Sequence, residues 1–203
     1  MIVQLCGLSG AGKTTISVNV KKKLLNLGAA VEIIDGDQYR KILCKDLGFS
    51  KTDRLENIRR LGFVAATLAS HGVISIISAI NPYTEARAEL KAIYPDVKTV
   101  YIECPVNTLI ARDTKGLYKR ASLPEGHSEK VYNLTGINDS FEIPSNPDLL
   151  INTGVYDVEE SANKLYNFII RNNTSSAVSL RSGSGKPVSL SNGYAASVPS
   201  NIG

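Results

Sequence analysis

No stretch of this 203-residue chain approaches the ~20 consecutive apolar residues that a helix needs to cross a membrane. The first apolar run, Ile2 to Cys6, is short and is consumed by a strand, so we expect neither a membrane span nor a signal peptide. Cysteine is scarce and odd in number: Cys6, Cys44 and Cys104 lie far apart, with no C-x-x-C and no zinc spacing. That excludes a disulfide scaffold and a structural zinc site, and we expect reduced core thiols in a cytoplasmic protein. A guanine-reading Asn-Lys-x-Asp loop is also missing, because Asn163-Lys164 runs on into Leu165-Tyr166 inside a helical pattern. This absence argues against a GTP switch. The formal charge of +4 suits an anionic small molecule, but it is too small to mark a nucleic-acid surface, and no nucleic-acid partner is expected.

What is present begins at Gly7. Residues 7–14 read G-L-S-G-A-G-K-T, matching the phosphate-loop pattern G-x-x-x-x-G-K-[ST] at every fixed position. An apolar strand enters the motif and a helical pattern, Thr15 to Leu27, leaves it. Glycines let successive backbone N–H groups turn inward around a phosphate, and the helix N-terminus adds its positive end. The motif makes Gly7, Ser9, Gly10, Ala11, Gly12, Lys13, Thr14 and Thr15 the candidate ATP-binding residues. Lys13 is placed to reach the β- and γ-phosphates, and the Thr14 hydroxyl to ligate Mg²⁺.

Downstream, strands and helices alternate. Strands are expected at Val31 to Ile34, Val73 to Ser78, Val97 to Glu103 and Leu149 to Asn152. Helices are expected from Gln38 to about Lys45, over Leu55 to Ser70 with Asp53 as N-cap, over Thr84 to Ile93, from Val106 to about Ala111, and over Val158 to Arg171. Such alternation makes an α/β fold with helices on both faces of a mainly parallel sheet, and it lines the motif loops along one edge. The polar, basic stretch 112–128 reads as a mobile lid whose cations close on phosphates. We take 1–171 as one kinase-like domain and 172–203, rich in Ser, Asn, Gly and Ala, as a disordered tail.

Asp35-Gly36-Asp37 ends the second strand on the same edge as the phosphate loop. The third strand ends in Ser78-Ala79-Ile80-Asn81 without an acidic residue, so the usual second carboxylate of such sites is missing from its common place. That points to Asp35 and Asp37 together, two carboxylates able to serve Mg²⁺ and an attacking hydroxyl. Arg40 follows Asp37 by three residues, Arg54 lies at the start of the long helix with Asn57 one turn on, and arginine suits bidentate recognition of phosphate or sulfate oxygens. Phe49 is an aromatic in a loop, open to stacking on a base or to filling a minor core. Arg59 and Arg60 point elsewhere and read as salt-bridged.

These blocks together resemble the adenylylsulfate kinase family. They are Gly7 to Thr15, Asp35-Gly-Asp37 with Arg40, Leu47 to Ser50, Asp53 to Arg60, Ile80-Asn-Pro-Tyr83, Arg112 to Tyr118, Leu134 to Ile137 and Pro147 to Thr153. The resemblance covers residues 1 to about 171. It implies a three-layer α/β/α P-loop kinase fold with a five-stranded sheet in the order 2-3-1-4-5. The implied activity is Mg·ATP-dependent phosphorylation of the 3′-hydroxyl of adenosine 5′-phosphosulfate, and the implied assembly is a homodimer. In that reading Lys13, Asp37 and Asp35 carry the chemistry, with Thr14 and Asp35 holding Mg²⁺. Arg40, Phe49, Arg54 and Asn57 hold the adenylyl sulfate, as does the backbone at Ile80 and Asn81. Lys115 meets the phosphosulfate, and Arg112 and Thr153 sit near ATP.

The chain departs from the family pattern in three places. Asn81 stands where a serine is usual, so no phosphoserine can form there. Leu134 stands where a phenylalanine is usual, removing one of two rings around the adenine at a cost of about 1–3 kcal/mol. Thr114 replaces the lid proline. Paralogues resembling this family act on other nucleotide-linked acceptors, including cytidine diphosphoramidate, and this alternative stays open from the sequence.

Overall fold

The computed structural model describes residues 1–177, with side chains through residue 173. Five strands form one fully parallel sheet: β1 (Ile2–Cys6), β2 (Val31–Asp35), β3 (Ile74–Ser78), β4 (Val97–Glu103) and β5 (Leu149–Asn152). Their order is β2-β3-β1-β4-β5, as the family resemblance implied. β1 and β3 are buried along their whole length, which is why both read as nearly unbroken apolar runs.

The seven helices among the described residues are α1 (Lys13–Asn26), α2 (Gly36–Tyr39), α3 (Lys51–Ser70), α4 (Thr84–Ile93), α5 (Val106–Arg112), α6 (Leu117–Ala121) and α7 (Val158–Ala177). They cover both faces of the sheet. Val3 and Leu5 of β1 pack with Ile16, Val20 and Leu24 of α1 and with Leu165 and Ile169 of α7. The alternate residue Ile2 packs on the opposite face with Leu55, Ile58 and Leu61 of α3 and Leu90 of α4. The period-2 alternation of a strand thus divides β1 between two cores.

Several local boundaries differ from the sequence expectation. α3 starts at Lys51, and its cap is Ser50, whose hydroxyl accepts from the Asp53 N–H at 3.2 Å. Asp53 therefore lies inside the first turn, and the Ser50 hydroxyl donates to its carboxylate at 2.7 Å. Serine wins the cap because its hydroxyl both satisfies the Asp53 N–H and bonds the Asp53 carboxylate. The helix expected from Gln38 to about Lys45 is only the four-residue α2 followed by turns, in which the Lys41 and Ile42 N–H groups bond three residues back to the Gln38 and Tyr39 carbonyls.

The lid stretch holds α6, whose N-cap is Gly116, and the carboxylate of Asp113 at the end of α5 accepts from the Tyr118 and Lys119 N–H groups at 3.0 and 2.9 Å. α7 extends to Ala177, six residues past the expected end, and the remainder of the proposed tail lies outside the described residues. All three cysteines are buried and unpaired, and Arg59 and Arg60 are ion-paired to Glu89, Glu56 and Asp46.

Candidate active site

Parallel strands end along a common edge, and there the loop after β1 meets the ends of β2 and β3. Gly7 opens the phosphate loop with φ 150° and donates its N–H to the Ile80 carbonyl at 3.1 Å. A Cβ built on Gly7 would lie 2.3 Å from the Ile102 carbonyl oxygen, a backbone atom that cannot swing aside. Gly7→Ala is therefore expected to push β1 from β4. Thermal melting should show a lower Tm, and titration with an ATP analogue should show at least tenfold weaker binding, the equivalent of about 1.4 kcal/mol. A variant with wild-type Tm and affinity would contradict this close approach.

Gly12 is the left-handed N-cap of α1, and the first turn of that helix carries no acidic side chain and no side-chain cap. Its N–H groups and positive dipole end are thus directed at the loop, the arrangement that binds anions. Lys13 leads the helix and is almost fully buried. Its ammonium donates to the Gly7 and Leu8 carbonyls, both at 2.8 Å. Burial, and secondarily the nearby Lys115, pull its pKa down to about 8 against the opposing pull of Asp37, Cys6 and Asp35.

Thr14 turns its hydroxyl to the Asp35 carboxylate at 2.8 Å and lies 3.2 Å from the Ser78 hydroxyl. The other Asp35 oxygen accepts from the N–H groups of Asp37 and Gln38, so the aspartate that caps α2 is fixed beside the phosphate loop. These are hard oxygen donors, the type Mg²⁺ takes, and Mg²⁺ usually uses one or two side chains plus substrate phosphates. Among the described residues no cluster of three or more His, Cys, Asp or Glu forms a dedicated metal cage. The donor set thus fits a cation shared with a nucleotide.

Asp37 stands at the cleft mouth, exposed, and pairs with Lys115 from the lid segment. Asp35, Asp37, Lys13, Thr14 and Thr15 all line one cavity of about 620 Å³, together with Ser9, Gly10, Gly12, Phe49, Arg54, Lys115 and Leu134. An adjoining cavity of about 170 Å³ shares Asp37, Phe49, Arg54 and Ile80 with it and adds Arg40, Asn57 and Asn81. The acidic pair and the phosphate loop therefore face a common cleft.

Phe49 is 53% exposed and lies between two guanidinium groups, Arg40 at 4.8 Å and Arg54 at 5.5 Å from its ring centre. It does not fill a core. Arg40 is held by the Gly48 carbonyl at 2.8 Å. Arg54 is buried, donates to the Phe49 and Asn133 carbonyls, and pairs with Asp139 at 2.7 Å.

Gly7, Ala11, Arg112 and Thr153 line neither cavity. Arg112 donates to the Thr153 carbonyl at 3.0 Å, and the Thr153 hydroxyl donates to the Ala11 carbonyl at 3.0 Å, so this pair braces the back of the phosphate loop. The Asn81 side chain is directed into the sheet, where its amide donates to Gln4.

Two wall residues, Ser78 and Thr135, and Tyr118 behind the wall were not singled out from sequence. Ser78 touches Thr14, the buried Thr135 lines the larger cavity, and Tyr118 donates its hydroxyl to the Ser9 carbonyl at 2.8 Å. Tyr118 closes a block that resembles the family but carried no role there; Ser78 left a signal, as the residue standing where an aspartate was looked for.

Comparison with known proteins agrees with this geometry. A family model described as adenylylsulphate kinase matches residues 1–152. An adenylyl-sulfate kinase from Microcystis aeruginosa is 46% identical over 165 residues, covering 81% of this chain and 88% of the relative. One from Chloroflexus aurantiacus is also 46% identical over 165 residues, covering 81% and 86%. The Mycobacterium tuberculosis APS kinase CysC, solved with AMPPNP and APS, superposes with a TM-score of 0.77 at 35% identity, covering 83% of this chain and 96% of that one. With the phosphate loop, the acidic pair and the strand order all in place, this chain belongs to the adenylylsulphate kinase family.

Proposed function

We propose that this protein transfers the γ-phosphoryl group of ATP to the 3′-hydroxyl of adenosine 5′-phosphosulfate, giving ADP and 3′-phosphoadenosine 5′-phosphosulfate. The observation that carries the proposal is the shared cleft, in which the phosphate loop and Asp37 face each other beside a cavity lined by Arg40, Phe49, Arg54 and Asn57. The relatives' names favour this acceptor over cytidine diphosphoramidate.

In this reading the phosphate loop and the α1 N-terminus hold the ATP phosphates. Lys13 counters the charge that develops as the bridging P–O bond breaks. Asp37 orients the acceptor hydroxyl and takes its proton as the new O–P bond forms. Thr14 and Asp35 would hold Mg²⁺, which when bound neutralises phosphate charge. Phe49 offers one face to the acceptor base, and Arg40, Arg54 and Asn57 surround the acceptor. Leu134 forms an apolar wall without a second ring. Lys115, paired with Asp37, is the lid cation that would exchange that partner for the phosphosulfate.

Purified full chain with ATP, MgCl₂ and adenylyl sulfate should release ADP in step with 3′-phosphorylated product. Absence of that product, with turnover of another nucleotide acceptor in the same panel, would transfer the assignment to that acceptor.

The assembly state and compartment belong to the same proposal. A homodimer follows the family resemblance, and sedimentation velocity tests it; a related APS kinase from Thiobacillus denitrificans is hexameric. A cytoplasmic location is supported by three buried, unpaired thiols. No helix among the described residues is long and apolar enough to cross a membrane.

A further inference from the structure

One residue of the acceptor wall carries two unfavourable features at once. Asn81 has φ 46°, in the left-handed region that side chains other than glycine adopt at a cost. Its side-chain oxygen is buried with no hydrogen-bond partner. Such features persist only where the surroundings over-determine them. The surroundings here are a buried polar network. The Asn81 amide donates to Gln4 Oε1 at 3.0 Å, and Gln4 in turn donates to Thr99 Oγ1 at 2.9 Å and to the Arg87 carbonyl at 3.2 Å. The Arg87 guanidinium donates back to the Asn81 carbonyl at 2.7 Å, and also to Thr84 Oγ1 at 3.0 Å and to the Glu142 carbonyl at 2.6 Å. Asn81 and Arg87 are 2% and 5% exposed, and Arg87 lines neither cavity.

The network's position gives it a use. Ile80, the residue before Asn81, borders both cavities, and its carbonyl accepts from Gly7 at the mouth of the phosphate loop. The left-handed turn at Asn81 separates two carbonyls: that of Ile80 goes to the donor-side loop, and that of Asn81 goes to Arg87 on α4. One short segment thereby fixes the acceptor wall against the donor cradle.

We propose that Asn81 and Arg87 are positioning residues, a clamp whose side chains set the acceptor pocket in register with the phosphate loop from behind its wall. Arginine suits this task because its planar fork reaches the Asn81 carbonyl and two further acceptors at once, which a lysine ammonium on a flexible stem does not reproduce. Asparagine suits position 81 because it tolerates the left-handed conformation and supplies the amide that Gln4 accepts. The clamp rests on the proposed reaction only for its kinetic readout.

The test uses the full chain with Asn81→Ala, Arg87→Lys and Asn81→Gly. The first loses both the Gln4 bond and the ease of the left-handed turn. The last loses the bond and keeps the turn. Asn81→Ala and Arg87→Lys are expected to raise KM for adenylyl sulfate by about tenfold or more while KM for ATP stays within about twofold, as a misplaced wall on one side requires. Amide hydrogen exchange across residues 80–83 should accelerate in the same two variants, while β1 and β4 stay protected. Asn81→Gly should recover most of the acceptor KM. A lowered Tm with both KM values unchanged, or equal rises in both, would overturn the clamp. Wild-type protein that makes no product from adenylyl sulfate would sink the proposed reaction instead; the clamp would then stand or fall on exchange at residues 80–83, with unchanged protection in both variants overturning it.

Discussion

Asp37→Ala is expected to lower kcat by about 10²–10⁴-fold, the range spanned by general acid–base catalysis, while ATP binds within about threefold of wild type. Asp37 lies on α2 at the cleft mouth, and the nucleotide cradle is built from a different segment, Gly7 to Thr15. Its carboxylate makes no hydrogen bond to that cradle; its partner is Lys115. Fold stability should be little changed, because the pair is exposed and such pairs are worth little. Stopped-time assays of 3′-phosphorylated product, with calorimetric titration of a non-hydrolysable ATP analogue, give both numbers. Asp37→Asn keeps the shape and removes the proton acceptor, so it should fall nearly as far as alanine. A turnover number near wild type in either variant would remove Asp37 from the chemistry.

Lys13→Met should be the second large loss, about 10²–10³-fold in kcat/KM, in the range seen when one preorganised charge-stabilising donor is removed. The effect on folding should have the opposite sign. The folded-state pKa of Lys13, about 8, lies below the unfolded value near 10.4. Below pH 8 the amine is charged in both states, and folding bears the full cost of burying it. That cost fades as pH rises from 8 through 10.4, so wild-type stability from this group increases over that window. A flexible apolar side chain of similar length bears no such cost, and at pH 7 the Tm of Lys13→Met should equal or exceed wild type. Melting curves at pH 7 and pH 9.5 test the sign: the advantage of the variant should shrink at the higher pH. A variant that melts well below wild type at pH 7 would show that the bonds to the Gly7 and Leu8 carbonyls outweigh desolvation.

Much of this site was legible because its chemistry is local. The phosphate loop is eight consecutive residues whose function is backbone geometry, so the G-x-x-x-x-G-K-T spacing carries it whole. Asp35 and Asp37 were legible for a related reason, since a carboxylate at the end of a parallel strand can only open on the loop edge. The errors are equally local in origin. Asp53 and Ser50 are both good caps, and only the path of the chain after Gly48 chooses between them. Arg112 and Thr153, which the resemblance puts near ATP, brace the back of the loop through the Thr153 and Ala11 carbonyls.

The sequence by itself determined the α/β class, the donor cradle, the acidic pair and the sites where strands end, because each follows from residue spacing or from strand and helix periodicity. Only the tertiary structure decided that Asn81 points into the sheet rather than at a substrate, that Phe49 lies between two arginines, and that Tyr118 ties the lid to Ser9. Those outcomes join residues 77, 5 and 109 positions apart, respectively, with the 5-residue case being Phe49 and Arg54. Contacts of that kind depend on sheet order and on rotamers chosen by packing, and neither leaves a periodic trace along the chain.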